Sequence, residues 1–225
     1  MDDADARNVR ETYETIADHF AETRAHPWPE VETFLEGSES VAVGLDVGCG
    51  NGRHAAVLGE RADRVVALDV SRNLLGVARE RLDEPGARLV QGDATRLPLR
   101  ADSVGLAVYV ATLHHLPTRE HRVESLNELG RVLRTEGRGL VSAWSTAHDR
   151  FDADPDAANG FDTTIDWTLP DGDVVPRFYH IYAPAEFEAD LAASELQVAS
   201  VRVSSGNCYA EVRGQREGES EGKHP

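Results

Sequence analysis

The segment Asp46-Val-Gly-Cys-Gly-Asn-Gly52 concentrates groups able to hold a small polar ligand: an acid, then Gly48, Gly50 and Gly52 at alternate positions. Glycines so spaced let the backbone turn with positive φ and put no Cβ between main chain and ligand. The pattern differs from the dinucleotide fingerprint G-x-G-x-x-G, because Arg53 stands where the third glycine would be, and this disfavours a nicotinamide-dependent oxidoreductase. Asp69 closes the apolar run Arg64-Val-Val-Ala-Leu-Asp69, about twenty residues beyond the glycines, where an acid hydrogen-bonds ribose hydroxyls. Loop and acid together read as a site for a ribose-bearing ligand.

Other chemistry-bearing groups fall at the ends of apolar runs. Asp93 lies in Gly92-Asp-Ala94, His114 and His115 follow the run Val104 to Val110, and Trp144 closes Gly139 to Trp144. Trp28 is displayed rigidly between Pro27 and Pro29. Arg177-Phe-Tyr-His-Ile-Tyr182 gathers aromatic and basic side chains. Cys49 and Cys208 form no metal-ligand spacing and read as unpaired thiols in a reducing compartment.

The elements that position these groups alternate between strand and helix. Val9, Tyr13, Ile16, Ala17 and Phe20 recur at helical spacing, which predicts an amphipathic helix over 5–20. The continuous apolar run Val41 to Val47 predicts a parallel strand covered on both faces. A helix over 51–60, the strand ending at Asp69, and a helix capped by Ser71, reaching about Leu82 and broken at Pro85-Gly86, come next. Strands over 87–91, 104–110 and 139–144 follow, with a Thr118-capped helix running to about Leu133. From Ser145 to Arg177 the chain reads as irregular and acidic, carrying Asp149, Asp152, Asp154, Asp156, Asp162, Asp166, Asp171 and Asp173. A stretch of this kind is expected to be a lid or insertion. Pro184 starts a helix to about Ala193, strands over 196–203 and 209–212 make a terminal hairpin, and 214–225 is a polar, disordered tail. Ligands of open α/β sheets bind outside the carboxyl ends of parallel strands, and Asp46, Asp69, Asp93, His114 and Trp144 all fall on that rim.

A chain of 225 residues, 40% hydrophobic, fits one domain, expected over 1–213. It has no run of about 18 apolar residues, and its N-terminus resembles neither a signal nor a transit peptide; a cytoplasmic protein without membrane contact is expected. Net charge is -17 and Lys223 is the sole lysine, a composition that fits a salt-rich, halophilic cytoplasm. The Debye length is about 3 Å at 1 M salt. Global charge therefore does not exclude an RNA partner, and local arginine clusters carry the information.

The acid-x-G-x-G-x-G loop resembles motif I of the class I S-adenosylmethionine methyltransferases. A narrower resemblance rests on Tyr13-Glu-Thr-Ile-Ala-Asp-His-Phe20, Thr23-Arg24, Pro27-Trp-Pro29, Asp46 to Gly52, His114-His115, Thr118-Arg-Glu-His-Arg122, Trp144 and Tyr179-His-Ile-Tyr182. Over roughly residues 10 to 213 the chain is similar to the tRNA wobble-uridine carboxymethyl methyltransferases. The acidic segment after Trp144 departs from that pattern. The resemblance implies a Rossmann-like α/β fold: a seven-stranded, mostly parallel sheet of order 3-2-1-4-5-7-6 with helices on both faces. It implies S-adenosylmethionine held by Asp46, Gly48, Cys49, Gly50, Gly52, Asp69, Val70, Asp93, Ala94 and Val110. It also implies methyl transfer to the carboxylate of 5-carboxymethyluridine in tRNA, and a heterodimer with a small zinc-binding activator. The edge strand 87–91 is the expected docking site for that subunit.

A carboxylate, with an ordinary pKa near 4, needs no general base in this reaction. Orientation and exclusion of water are the demands on the site. The expected pocket is therefore mostly aromatic, with Trp28, Trp144, Tyr179 and Tyr182 as walls and Arg24, His114, Arg177 and His180 as orienting groups. The catalytic set is Arg24, His114, Trp144, Arg177 and Tyr179, without a metal. Two alternatives stay open: a small-molecule C-methyltransferase of the quinone or sterol type, with His114 as base, and a catalytically idle cofactor-binding partner module.

Overall fold

The computed structural model describes residues 3–82, 86–154 and 157–215. The expected break at Pro85, the acid Asp156 and the tail beyond Gln215 lie outside the described residues. Helix α1 (Asp3–Thr23) precedes α2 (Pro29–Glu36), and then β1 (Val41–Val47), α3 (Arg53–Leu58), β2 (Ala62–Asp69), α4 (Arg72–Arg81) and β3 (Ala87–Gln91) alternate. Strand β4 (Val104–Val110), a 3₁₀ turn at Leu113–His115, α5 (Arg119–Val132) and β5 (Leu133–Trp144) complete the parallel part. Then come β6 (Phe161–Thr168), β7 (Val174–Ile181), α6 (Pro184–Ala192), β8 (Gln197–Ser204) and β9 (Asn207–Arg213).

Seven strands form one sheet in the order β3-β2-β1-β4-β5-β9-β8. Strands β1 to β5 pair in parallel, and β9 runs antiparallel to both β5 and β8. With β6 and β7 set apart as a two-stranded sheet, this is the expected order 3-2-1-4-5-7-6. Strand β4 shows why its sequence reads as one unbroken apolar run. Leu106, Val108 and Val110 pack with α2, α3 and α4 on one face, while Ala107 and Tyr109 pack with α5 and α6 on the other. The order reverses direction at β1, between β2 and β4, and the crevice at that switch point is where a ligand fits. The terminal hairpin turns through Ser205 (φ 50) and Gly206 (φ 74), the positive-φ pair of a tight two-residue turn.

Three differences from the sequence reading bear on the site. First, part of the stretch expected to be irregular over 145–177 is the β6–β7 hairpin. Phe161, Thr163, Ile165 and Trp167 alternate with outward residues that include Asp162 and Asp166, so a period of two exists beneath the high density of acids. Second, Pro29 is the first residue of an additional helix, α2, which buries Val31, Phe34 and Leu35. Third, β5 begins directly at the end of α5, at Leu133, and Glu136-Gly137 lies within the strand.

Candidate active site

The floor of the cleft is built from the carboxyl end of β1. Gly48 and Cys49 donate their N–H groups to Leu68 O at 2.8 and 2.9 Å, which fixes the loop against β2. Gly48 (φ 71), Gly50 (φ 53) and Gly52 (φ 77) occupy the left-handed region. A Cβ on Gly48 would also collide with the Thr112 side chain. Asp69, at the end of β2, accepts the Gly50 N–H on Oδ2 and the Ser71 N–H on Oδ1, both at 2.8 Å. Burial raises its carboxyl to about 6, against the lowering effect of those two N–H groups. Behind the loop, Asp46 is 1% exposed, and its Oδ2 is sealed from solvent without a hydrogen-bond partner. Burial, then the neighbouring Asp69, lift Asp46 to about 7, while Arg53 pulls the other way.

Helix α1 roofs the cleft and is fastened to these elements. The Glu14 carboxylate accepts N–H groups of Arg72 and Asn73 at 2.8 Å, capping α4 from another helix. Tyr13 donates to His115 Nε2 at 2.7 Å. His115 Nδ1 in turn donates to Phe178 O at 3.0 Å, since a carbonyl only accepts. Burial lowers His115 to about 4, so the ring is neutral and Nε2 is an acceptor. His114 is also lowered well below its ordinary value, by burial and then by His115 and Arg177. Its Nδ1 accepts the Trp144 N–H at 2.9 Å, which leaves the proton of the neutral ring on Nε2. Tyr179 stacks on His114 at 5.1 Å and meets Trp144 edge-on at 5.3 Å.

The hairpin supplies the remaining wall. Arg177 is 7% exposed and forms no ion pair among the described residues; its guanidinium lies 4.7 Å from the Trp167 ring and 5.2 Å from the Tyr179 ring. Arg24 approaches Trp167 from α1 at 5.5 Å. The Trp167 indole N–H donates to His19 Nδ1 at 3.1 Å, which fixes the ring. One tryptophan therefore organises two arginines that come from different elements.

The cavity in this cleft measures about 260 Å³. Arg24, His114, Trp144, Arg177 and Tyr179 all line it, together with Trp28. So do Gly48, Gly50, Asp69, Val70, Asp93 and Ala94. Asp93 also closes a local turn, accepting Thr95 N–H and hydroxyl at 2.9 Å. Asp46, Cys49, Gly52 and Val110 do not line the cavity. Cys49 and Val110 belong to the core beneath it, and Gly52 packs toward Leu82 and Ala78.

Two expected pocket groups lie elsewhere. Tyr182 is fully buried and donates its hydroxyl to Asp190, while His180 is held between Asp162 and Glu186 at 2.7 and 3.1 Å. The alternation of β7 explains this, because His180 faces away from Arg177 and Tyr179. Sequence reasoning missed Arg53, which lines the cleft, and Trp167, which backs it. The first was signalled by its place directly after the glycines; the second was hidden in the acidic stretch.

The methyltransferase-domain family matches residues 45–141. A protein of Encephalitozoon cuniculi assigned as a methyltransferase is 33% identical over 190 residues, covering 81% of this chain and 85% of that protein. The chain belongs to the class I S-adenosylmethionine-dependent methyltransferases. This methyltransferase is also 37% identical over 140 residues to the mouse tRNA (carboxymethyluridine(34)-5-O)-methyltransferase ALKBH8. That match takes in 62% of the chain and 20% of the mouse protein, so the chain spans about a fifth of that relative's length. Two solved structures share the methyltransferase fold. The DhpI complex with SAH has a TM-score of 0.72 at 20% identity, covering 94% of this chain and 98% of that one. The chain assigned as a methyltransferase in complex with the Haloferax volcanii Trm112 activator has a TM-score of 0.70 at 15% identity, with 93% and 99% covered.

Proposed function

We propose that this methyltransferase esterifies the carboxylate of 5-carboxymethyluridine at the wobble position of tRNA. The observation that carries the reading is Arg177: a buried cation without a carboxylate partner among the described residues, in an aromatic cleft, within a chain of net charge -17. An uncompensated buried charge is costly unless a ligand completes it. An anionic acceptor does so. The mouse relative named for this reaction points to the same acceptor class.

The residues fit S-adenosylmethionine. Gly48 and Gly50 keep the cleft floor free of side chains, Asp69 keeps lone pairs for ribose hydroxyls, and Asp46, whose Oδ2 has no partner among the described residues, supplies negative charge toward an ammonium group. When bound, the cofactor supplies an electrophilic methyl group on a sulfonium. Asp93 and Ala94 are assigned to the adenine end, with Val70 beside the ribose. Trp144 and Tyr179 exclude water and flank the path of the attacking carboxylate oxygen. Arg177, Arg24 and the neutral His114 Nε2–H orient the acceptor through its other oxygen. A strong ion pair to the attacking oxygen would favour the ground state, because charge is neutralised as the bond forms.

His114 also argues against carbon methylation. Its basic nitrogen, Nδ1, is occupied by the Trp144 N–H, and its pKa lies well below the ordinary value, so it is a poor proton acceptor. Incubation of the protein with S-adenosylmethionine and bulk tRNA separates an enzyme from an idle binding module. Mass spectrometry of wobble nucleosides from a deletion strain then tests the acceptor: free 5-carboxymethyluridine accumulates on this reading, and an unchanged nucleoside profile removes it.

The proposed partner is a small zinc-binding activator forming a heterodimer through β3, which pairs only with β2 in the described sheet. No described strand pairs with its outer edge, where a partner strand would add. Co-expression is expected to raise solubility and cofactor affinity. No described helix is long and apolar enough to cross a membrane. The proposed setting is a salt-rich cytoplasm, supported by the charge of -17 and the sole lysine. There the Tm is expected to rise with molar KCl, as screening relieves the self-repulsion.

A further inference from the structure

One side chain joins the glycine loop to the end of α1. Asn51 is 1% exposed and donates from Nδ2 to Arg24 O at 2.8 Å and to Ala21 O at 3.3 Å. These are carbonyls at a helix end, which lack intrahelical partners. The Arg24 N–H closes the same turn on Ala21 O at 3.3 Å. Asn51 Oδ1 accepts the Arg53 N–H at 3.4 Å, a turn contact that Asp or Ser would make equally well. The two N–H donors are what only an amide adds at this size. On the other side of the loop, Gly50 N–H is held by Asp69. A continuous set of hydrogen bonds therefore runs from Asp69, through the loop, to the main chain of Arg24.

We propose that Asn51 is a positioning residue that sets Arg24 from the cofactor loop. With the loop in its binding conformation, the Arg24 guanidinium is registered over the cleft beside Trp167. Asn51 lies outside the cavity lining and touches no reacting group. The remainder of α1 is anchored separately, by Glu14 on α4 and by Tyr13 on His115. Loss of Asn51 therefore loosens the end of the helix and leaves its body docked. The proposal rests on the reading that Arg24 orients the acceptor.

The test uses Asn51→Ala and Asn51→Asp in the full chain, alone and combined with Arg24→Lys. Each single variant is expected to keep SAH affinity within about three-fold and to raise the KM for tRNA by about ten-fold, the scale of one lost hydrogen bond. Hydrogen exchange at the amides of 21–25 should accelerate while β2 stays protected. In the Arg24→Lys background, Asn51→Ala should add less than about two-fold, because its effect passes through Arg24. The proposal is overturned if SAH affinity falls as far as acceptor affinity, if the two substitutions multiply fully, or if exchange at 21–25 is unchanged. If the unmodified protein does not methylate tRNA, the wobble reading fails. The exchange and SAH measurements still decide the role of Asn51.

Discussion

Replacing Asp46 by Asn should stabilise the ligand-free protein, by an amount that grows with pH. Asp46 is buried, with one oxygen lacking a partner, and burial together with Asp69 lifts its carboxyl from the ordinary 3.8 to about 7. Below pH 4 both the folded and the unfolded chain hold the proton, so the group contributes nothing. Between about 4 and 7 the folded chain binds more protons than the unfolded chain, so stability falls as pH rises; above 7 the whole penalty is present. The distance from 3.8 to about 7 corresponds to about 4 kcal/mol at pH 8 and about 2 kcal/mol at pH 5.5. An amide in the same place carries its own desolvation cost of about 1–3 kcal/mol, independent of pH. The decisive quantity is therefore the change in the gap between variant and parent, about 2 kcal/mol from pH 5.5 to pH 8. At about 2–4 °C per kcal/mol for a chain of this size, the Tm difference should widen by about 4–8 °C. Thermal unfolding at the two pH values measures it, and repetition with saturating SAH should show a smaller ligand increment for Asp46→Asn. A gap that is flat with pH, or one that widens toward acid, would refute the placement of Asp46 as a strained carboxylate awaiting a cation.

Three further outcomes follow from the cleft. Arg177→Ala should reduce kcat/KM for tRNA by at least about a hundred-fold with SAH affinity nearly unchanged, the loss expected for a desolvated charge-assisted contact; isothermal titration beside steady-state kinetics separates the two. Trp167→Ala should impair the acceptor KM by about ten-fold through both arginines at once, so that combining it with Arg24→Lys gives less than the product of the two effects. Because burial lowers His115 to about 4 and His114 well below its ordinary value, kcat should show no titration near the ordinary histidine value of 6.5. A kinetic limb near that value that disappears in His114→Gln would contradict the hydrogen-bond assignment.

The parallel sheet was readable because β1, β4 and the second half of β5 are apolar runs bounded by turn residues, and because Asp46, Asp69 and Trp144 fall at or beside strand ends. Ser71 and Thr118 do cap their helices, accepting Leu74 N–H and His121 N–H. The cofactor floor was equally readable, since its geometry is local: Gly48 to Gly52 must turn, and only their own φ values decide how. The acceptor wall was readable only in part: Arg24 and Arg177 were named, and Trp167, which joins them, was not. Its members, Arg24, Arg177 and Trp167, are brought together by α1 and by a hairpin whose alternation is masked by aspartates on the solvent face. Tyr182 and His180 were misplaced for the related reason that a strand sends neighbouring side chains to opposite faces. Composition does not fix which face meets the cleft, and the register of β7 against β6 does.

The charge arrangement explains how an acidic protein can select an anionic acceptor. Its carboxylates lie outside or beneath the acceptor wall: Asp162 and Glu186 are engaged by His180, Glu14 by the start of α4, and Asp190 by Arg119 and Tyr182. The two histidines that face the cleft are kept neutral by burial, so they add donors without adding charge. Positive charge there is confined to arginines, and Arg24 and Arg177 rest on aromatic faces that do not neutralise them. A lysine would be a poorer choice at these positions, since its compact ammonium group is more strongly hydrated and cannot spread across an indole. The field at the acceptor wall is therefore set at short range by Arg24 and Arg177, where salt screens little, with Asp69 and Asp93 confined to the cofactor end, while the net charge of -17 acts at distances that molar salt removes.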